Sequence, residues 1–234
     1  MGLRAGAGLR ERSRRAAGSP VRMGALTTAA VRLEEDGRPA ARSVEVAEQS
    51  GDRPVFFFDL ACPFSYLAAE RVERMFGDIE WIPVPSEPLT GSVSEEERDA
   101  IVMRAATMAQ AARLPIVWPD NFPAAVPRAM RAALYAAEIG AGARFALAAS
   151  RMAFCGAFDL DKPSVLADVA AAANVPVKEC LAAASEDWRD EELQETASSL
   201  STHGISELPV VGVQGRWFDG VGGLIEAAAW LRRG

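Results

Sequence analysis

The chain has 234 residues, half of them hydrophobic and about a quarter charged, enough for one domain with a core of ordinary size. Its apolar runs fall short of the ~20 residues a membrane span needs, and a formal net charge of −7 argues against a nucleic-acid groove, so neither a membrane nor a nucleic acid is an expected partner. With three cysteines, Cys62, Cys155 and Cys180, and a single histidine, His203, the sequence excludes a disulfide framework and a zinc-ligand pattern and reads as cytoplasmic.

Residues 1–23 carry six arginines against one glutamate. Ala16-Ala17-Gly18-Ser19-Pro20-Val21-Arg22 nevertheless interrupts the apolar core of about 7–15 residues that a secretory signal requires. The stretch from Leu33 to Arg53 is equally polar. Residues 1–53 are therefore expected to be a disordered extension, with Met23 as an alternative start, and residues 54–234 to form one domain.

The first strand is expected over 54–60, followed by a helix from 63 to 76 that Gly77 and Asp78 end. A second strand over 79–84 completes a β–α–β unit with parallel pairing. From Ser94 to His203 almost nothing reads as strand. Ser94, with Glu97 three positions later, opens this block as a capping box, and four prolines make 115–127 a loop. Further helices are expected near 127–139, 142–157, 163–173, 177–185 and 188–203, the last leaving His203 as a polar residue at a helix end. Strand character returns at 208–213, a turn at Gln214-Gly215 makes a hairpin with 216–218, and a last helix runs from about Leu224 to Arg232.

The segment Val55-Phe56-Phe57-Phe58-Asp59-Leu60-Ala61-Cys62-Pro63-Phe64-Ser65 carries the chemistry. An apolar strand delivers a cysteine to a helix N-terminus, where unpaired N–H groups and the helix dipole favour a thiolate. Such surroundings lower a cysteine pKa and create the form that attacks disulfides and electrophiles. Pro63 suits the first helical turn, which has no use for its missing N–H. Cys62-Pro63-Phe64-Ser65 is thus a Cys-x-x-Ser version of a Cys-x-x-Cys redox motif, with Ser65 as a hydroxyl donor to the thiolate in place of a resolving thiol. Asp59 reads either as a buried proton carrier or as a strand-end polar residue, and stays outside the candidate set. Cys155 and Cys180 fall in amphipathic helices and read as core.

Phe58-Asp59-x-x-Cys62-Pro63-x-Ser65-Tyr66-Leu67, the later Gly204-Ile205-Ser206-Glu207-Leu208-Pro209 and the element order together resemble the DsbA-like branch of the thioredoxin superfamily. Within it the chain resembles the group of 2-hydroxychromene-2-carboxylate isomerases and kappa-class glutathione transferases. Phe122-Pro123 followed by Arg128-Ala129-x-Arg131-Ala132 is similar to a pattern in that group's helical insert, with Ala125 where the group has an asparagine. The resemblance implies an α/β, thioredoxin-like fold with a large all-helical insertion, about 94–203, between β-α-β and β-β-α halves. It implies a cis Pro209 facing Cys62, with the Leu208 backbone offered to a thiol-bearing peptide such as glutathione, and a homodimer. It places Cys62 where the isomerases keep a catalytic serine and the redox members an attacking cysteine. One departure is Gly220-Val221-Gly222-Gly223-Leu224, which lacks the aspartate that glutathione-using relatives carry there.

Three readings follow. In the first, Cys62 and Ser65 catalyse thiol–disulfide chemistry with glutathione or another low-molecular-weight thiol as cosubstrate and no bound cofactor, and Pro63, Phe64, Tyr66, Leu208 and Pro209 hold the small-molecule thiol or disulfide. In the second, the same site is a glutathione-dependent isomerase or transferase on an aromatic electrophile, walled by Trp118, Phe122, Phe64 and Tyr66. In the third, the Cys62–Pro209 face only binds a partner.

Overall fold

In a computed structural model of the chain, residues 53–123 and 125–233 are described. The expected extension, apart from Arg53, and the alternative start Met23 lie outside them.

Strand β1, Val55–Phe58, is buried on both faces because each of its four side chains is apolar. It pairs parallel to β2, Glu80–Pro83, with Phe56 opposite Trp81. On its other side it pairs antiparallel to β3, Val210–Val213, which is joined antiparallel to β4, Arg216–Asp219. The sheet order is therefore β2-β1-β3-β4. Gln214 and Gly215 make the hairpin turn with φ of +50° and +71°, the left-handed geometry a two-residue loop demands.

Alternation along β1 sorts the core into two layers. Phe56 and Phe58 share one with Trp81, Val211, Leu67 and Val72 of helix α1, Pro63–Phe76, and Leu224 and Ala227 of the last helix. The Trp81 ring meets Phe56 edge-on at 4.8 Å and Phe58 at 5.7 Å, an arrangement aromatic quadrupoles favour. Val55 and Phe57 face the other way, onto Ile82, Val210, Ala197 and Leu200.

The chain crosses from the second strand to the third through α2, Glu87–Thr90, α3, Glu95–Ala112, α4, Pro127–Glu138, α5, Gly142–Gly156, α6, Pro163–Ala172, α7, Val177–Ala183, and α8, Arg189–Thr202. The Ser94 capping box forms: its hydroxyl accepts from Glu97 N at 3.3 Å, while Glu97 accepts from Ser94 N at 2.8 Å. Alanines at 129, 132, 133 and 136 of α4 and 146, 149 and 153 of α5 are buried in the first layer. Arg131 clamps Asp190 through two bonds, of 2.8 and 2.6 Å, and so ties α4 to α8.

Two boundaries differ from expectation. The single turn α2 has no counterpart among the expected elements, since four residues are too few to show a period. The last helix, α9, spans Gly220–Leu231 rather than starting at Leu224. Gly223 in its first turn answers a close approach: a Cβ there would lie 2.7 Å from the Phe218 carbonyl carbon. The thioredoxin-like DsbA fold with its helical insertion is what the element order and sheet together describe.

Candidate active site

At the end of β1 the backbone is knotted around Asp59. Its carboxylate accepts from Ala61 N at 2.8 Å, Ser86 N at 2.7 Å and Ser86 Oγ at 2.6 Å, and its own N–H donates to Ser65 Oγ at 3.2 Å. These bonds fix Leu60 and Ala61, and Cys62 follows as the N-cap of α1 in extended conformation. The Cys62 carbonyl accepts the first helical bond, from Tyr66 N at 3.2 Å. Ser65 is buried and Cys62 half-buried.

Across from this turn the Leu208–Pro209 peptide is cis. The Leu208 carbonyl oxygen is 3.9 Å from Cys62 Sγ, within reach of a weak thiol donor. The structure thus brings Cys62, Pro63, Phe64, Ser65, Leu208 and Pro209 to one place.

Tyr66 points elsewhere. Its hydroxyl donates to the Pro115 carbonyl at 2.8 Å and lies 3.3 Å from Cys155 Sγ, and its ring stacks on Phe154 at 5.6 Å. One helical turn separates it from Cys62, but the aromatic interface with α5 takes its side chain. Burial, chiefly, and the neighbouring Cys155 push its hydroxyl pKa up. Trp118 and Phe122 gather around the same Phe154 ring, so three of the four aromatics expected to wall a pocket pack around Phe154. The space that Phe122 and Phe154 leave beside Leu60 and Ala61 is about 20 Å³, room for a water rather than a ring.

The thiol is not poised as the helix terminus alone implies. Burial, first, and the Asp59 charge push Cys62 from 9.0 up to about 11, while the Ser65 N–H and hydroxyl and the Phe64 N–H pull the other way. Desolvation and a like charge outweigh the helix end here. Asp59 is itself raised by burial, against the lowering effect of Ser86 and Ala61. The expectation of a thiolate-favouring environment is therefore corrected. Cys155 is corrected as well: it lies exposed near the end of α5, whereas Cys180 is buried as expected.

Besides Asp59, three residues beyond the candidate set belong to the site. Ser86 holds Asp59. Arg104, on α3, stacks its guanidinium 4.4 Å over the Phe64 ring and lies 3.6 Å from Glu207. Nothing in the spacing of Ser86 or Arg104 from Cys62 points to them, whereas Glu207 lies inside the Gly204–Pro209 segment that carries the family resemblance. Among the described residues no three His, Cys, Asp or Glu side chains are arranged to hold a metal ion, and no helix is long and apolar enough to cross a membrane.

A structure of 2-hydroxychromene-2-carboxylate isomerase superposes with a TM-score of 0.63 at 16% identity, covering 77% of this chain and 94% of that one. A probable DsbA oxidoreductase from Streptomyces coelicolor gives 0.64 at 16% identity, over 77% and 88%. The cytosolic disulfide reductase DsbM from Pseudomonas aeruginosa, in a structure with GSH, gives 0.57 at 16% identity, over 77% and 98%. At such identities the likeness is one of fold. No curated protein matches the sequence significantly. The model of the DSBA-like thioredoxin domain matches residues 55–225, β1 through the first turn of α9, and the chain belongs to that family.

Proposed function

We propose that the protein is a thiol-dependent oxidoreductase working through Cys62 alone. The Cys62 thiolate attacks a substrate disulfide, forming a mixed disulfide on Cys62 and expelling one half as a thiolate. A low-molecular-weight thiol such as glutathione then attacks the mixed disulfide, leaves with the bound half as a new disulfide, and regenerates Cys62. The observation that carries this reading is the arrangement of sulfur at the site: Cys62 is half-buried at the N-cap of α1, and the fourth position of the motif is the buried hydroxyl of Ser65. Cys180 is in the core and Cys155 lies against Tyr66, whose side chain points away from Cys62, which supports an external thiol as the group that resolves the intermediate.

With the resting thiol held protonated, the nucleophile forms by proton loss during the encounter. Pro209 and the Leu208 carbonyl form the edge against which a peptide-like thiol would lie. Cys62 in the position where the isomerases keep a catalytic serine supports redox chemistry over isomerisation of an aromatic substrate. A glutathione cosubstrate and a cytoplasmic setting fit together, since a single-cysteine cycle depends on a reducing thiol pool, and the DsbM neighbour is cytosolic and was solved with GSH.

The test is steady-state reduction of hydroxyethyl disulfide by glutathione, coupled to glutathione reductase. Turnover by the native chain that vanishes in Cys62→Ser supports the reading. Equal rates in the two proteins, or none in either, overturn it.

A further inference from the structure

Arg104 touches both segments that frame the thiol. Its guanidinium covers Phe64, the third residue of the motif, and its Nη2 is 3.6 Å from Oε2 of Glu207, the residue before Leu208. Charge-assisted hydrogen bonds are about 2.7–2.9 Å long, so this pair is loose, and the two side chains remain 52% and 45% exposed. The other oxygen of Glu207 rests against Gly220, where φ is +66° and a side chain would collide with it. Glu207 thus sits between Arg104 and the start of α9 without a tight bond to the cation.

Arg104 also closes one end of a groove of about 280 Å³ that runs along α3, with Thr90, Ser92 and Ile101 among its walls. Glu97 lines the groove two turns earlier on the same helix, about 10 Å along the axis. Its carboxylate accepts from Ser94 N and Oγ and is held below the usual range by those bonds. The groove is therefore dipolar, with its positive end next to the catalytic motif. An acidic group entering it has one favourable position, at Arg104.

We infer that Arg104 selects the substrate of Cys62 by charge: the carboxylate of a small thiol or disulfide displaces Glu207 from the guanidinium and so brings its sulfur to Cys62. This rests on the redox reading above and adds the substrate class, carboxylate-bearing disulfides over neutral or cationic ones of equal length. Glu207 acts as an internal competitor that occupies Arg104 until such a substrate arrives.

Three disulfides of matched arm length test this: 3,3′-dithiodipropionate, hydroxyethyl disulfide and cystamine, which are anionic, neutral and cationic. The full chain carrying Cys155→Ser is mixed with each, and the mixed disulfide on Cys62 is followed by peptide mass. Rates should fall in that order, with the spread shrinking as salt rises. Arg104→Gln should lower the anionic-to-neutral rate ratio about tenfold, the scale of one lost hydrogen bond to a charged group. Arg104→Lys should retain much of the ratio, and Glu207→Gln should raise it. An unchanged ratio in Arg104→Gln, or an equal loss with all three disulfides, overturns the inference and leaves Arg104 a packing residue over Phe64. Reaction of Cys62 with none of them overturns the redox reading itself.

Discussion

Asp59 and Cys62 share one buried turn, and the carboxylate works against ionisation of the thiol. Of the two effects that push Cys62 up to about 11, burial is the larger and the Asp59 charge the second. Removing that charge should move the thiol downward. Asp59→Asn, which keeps the shape, should lower the pKa read from the pH dependence of iodoacetamide labelling and speed labelling at pH 8 by about tenfold, the change one pKa unit produces. A profile that stays in place would mean that Asp59 carries no charge in the resting protein.

Ser65 acts on both neighbours. Its hydroxyl accepts the Asp59 N–H at 3.2 Å and helps hold the Cys62 thiolate. Ser65→Ala should raise the Cys62 labelling pKa further and cost about 1–2 kcal/mol in urea unfolding, because a buried N–H loses its partner. Ser65→Cys should give a chain that closes an intramolecular disulfide after attack, seen as oxidised protein by mass without added thiol.

The thiol also links stability to pH. Cys62 titrates at about 11 in the folded chain against 9.0 for an unperturbed cysteine, so the native state holds its proton longer than the unfolded state. That contribution is complete below about pH 9 and is lost as pH rises through 11. Over this window the native chain should lose about 2 kcal/mol more stability than Cys62→Ser, allowing for the half-exposed position of the group. Parallel curves for the two proteins in chemical denaturation would contradict the shift.

Gly223→Ala tests the start of α9. The new Cβ would fall 2.7 Å from the Phe218 carbonyl carbon, a backbone atom that cannot swing away. A loss of about 1–3 kcal/mol is expected from such overpacking, although alanine is the better helix former. An unchanged melting temperature would show that β4 yields to the methyl group.

Much of the fold was legible because its signals are local. The four-residue apolar strand, the Ser94–Glu97 cap, the prolines opening α1, α4 and α6, and the Gln214-Gly215 turn each act within a few residues of themselves. The Cys62 motif was legible for the same reason, since a cysteine before Pro63 marks a helix start. What the sequence hid depends on contacts across the chain. Tyr66 sits one turn from Cys62, yet Pro115 and Phe154 decide where it points. Arg104 reaches Phe64 across 40 positions, and the pKa of Cys62 follows from burial that no spacing records. The start of α9 at Gly220 rather than Leu224 was hidden because Gly223 is demanded by the nearness of Phe218, and the space around Gly220 is filled by Glu207.

The central claim is that Cys62 carries a mixed disulfide that only an external thiol can release. The most direct measurement is peptide mass mapping of the native chain after exposure to oxidised glutathione, with and without subsequent reduced glutathione. The account predicts one glutathione on Cys62, stable until the reduced thiol is added and then lost completely. A modification confined to Cys155, or an adduct on Cys62 that disappears by internal disulfide formation, would contradict it.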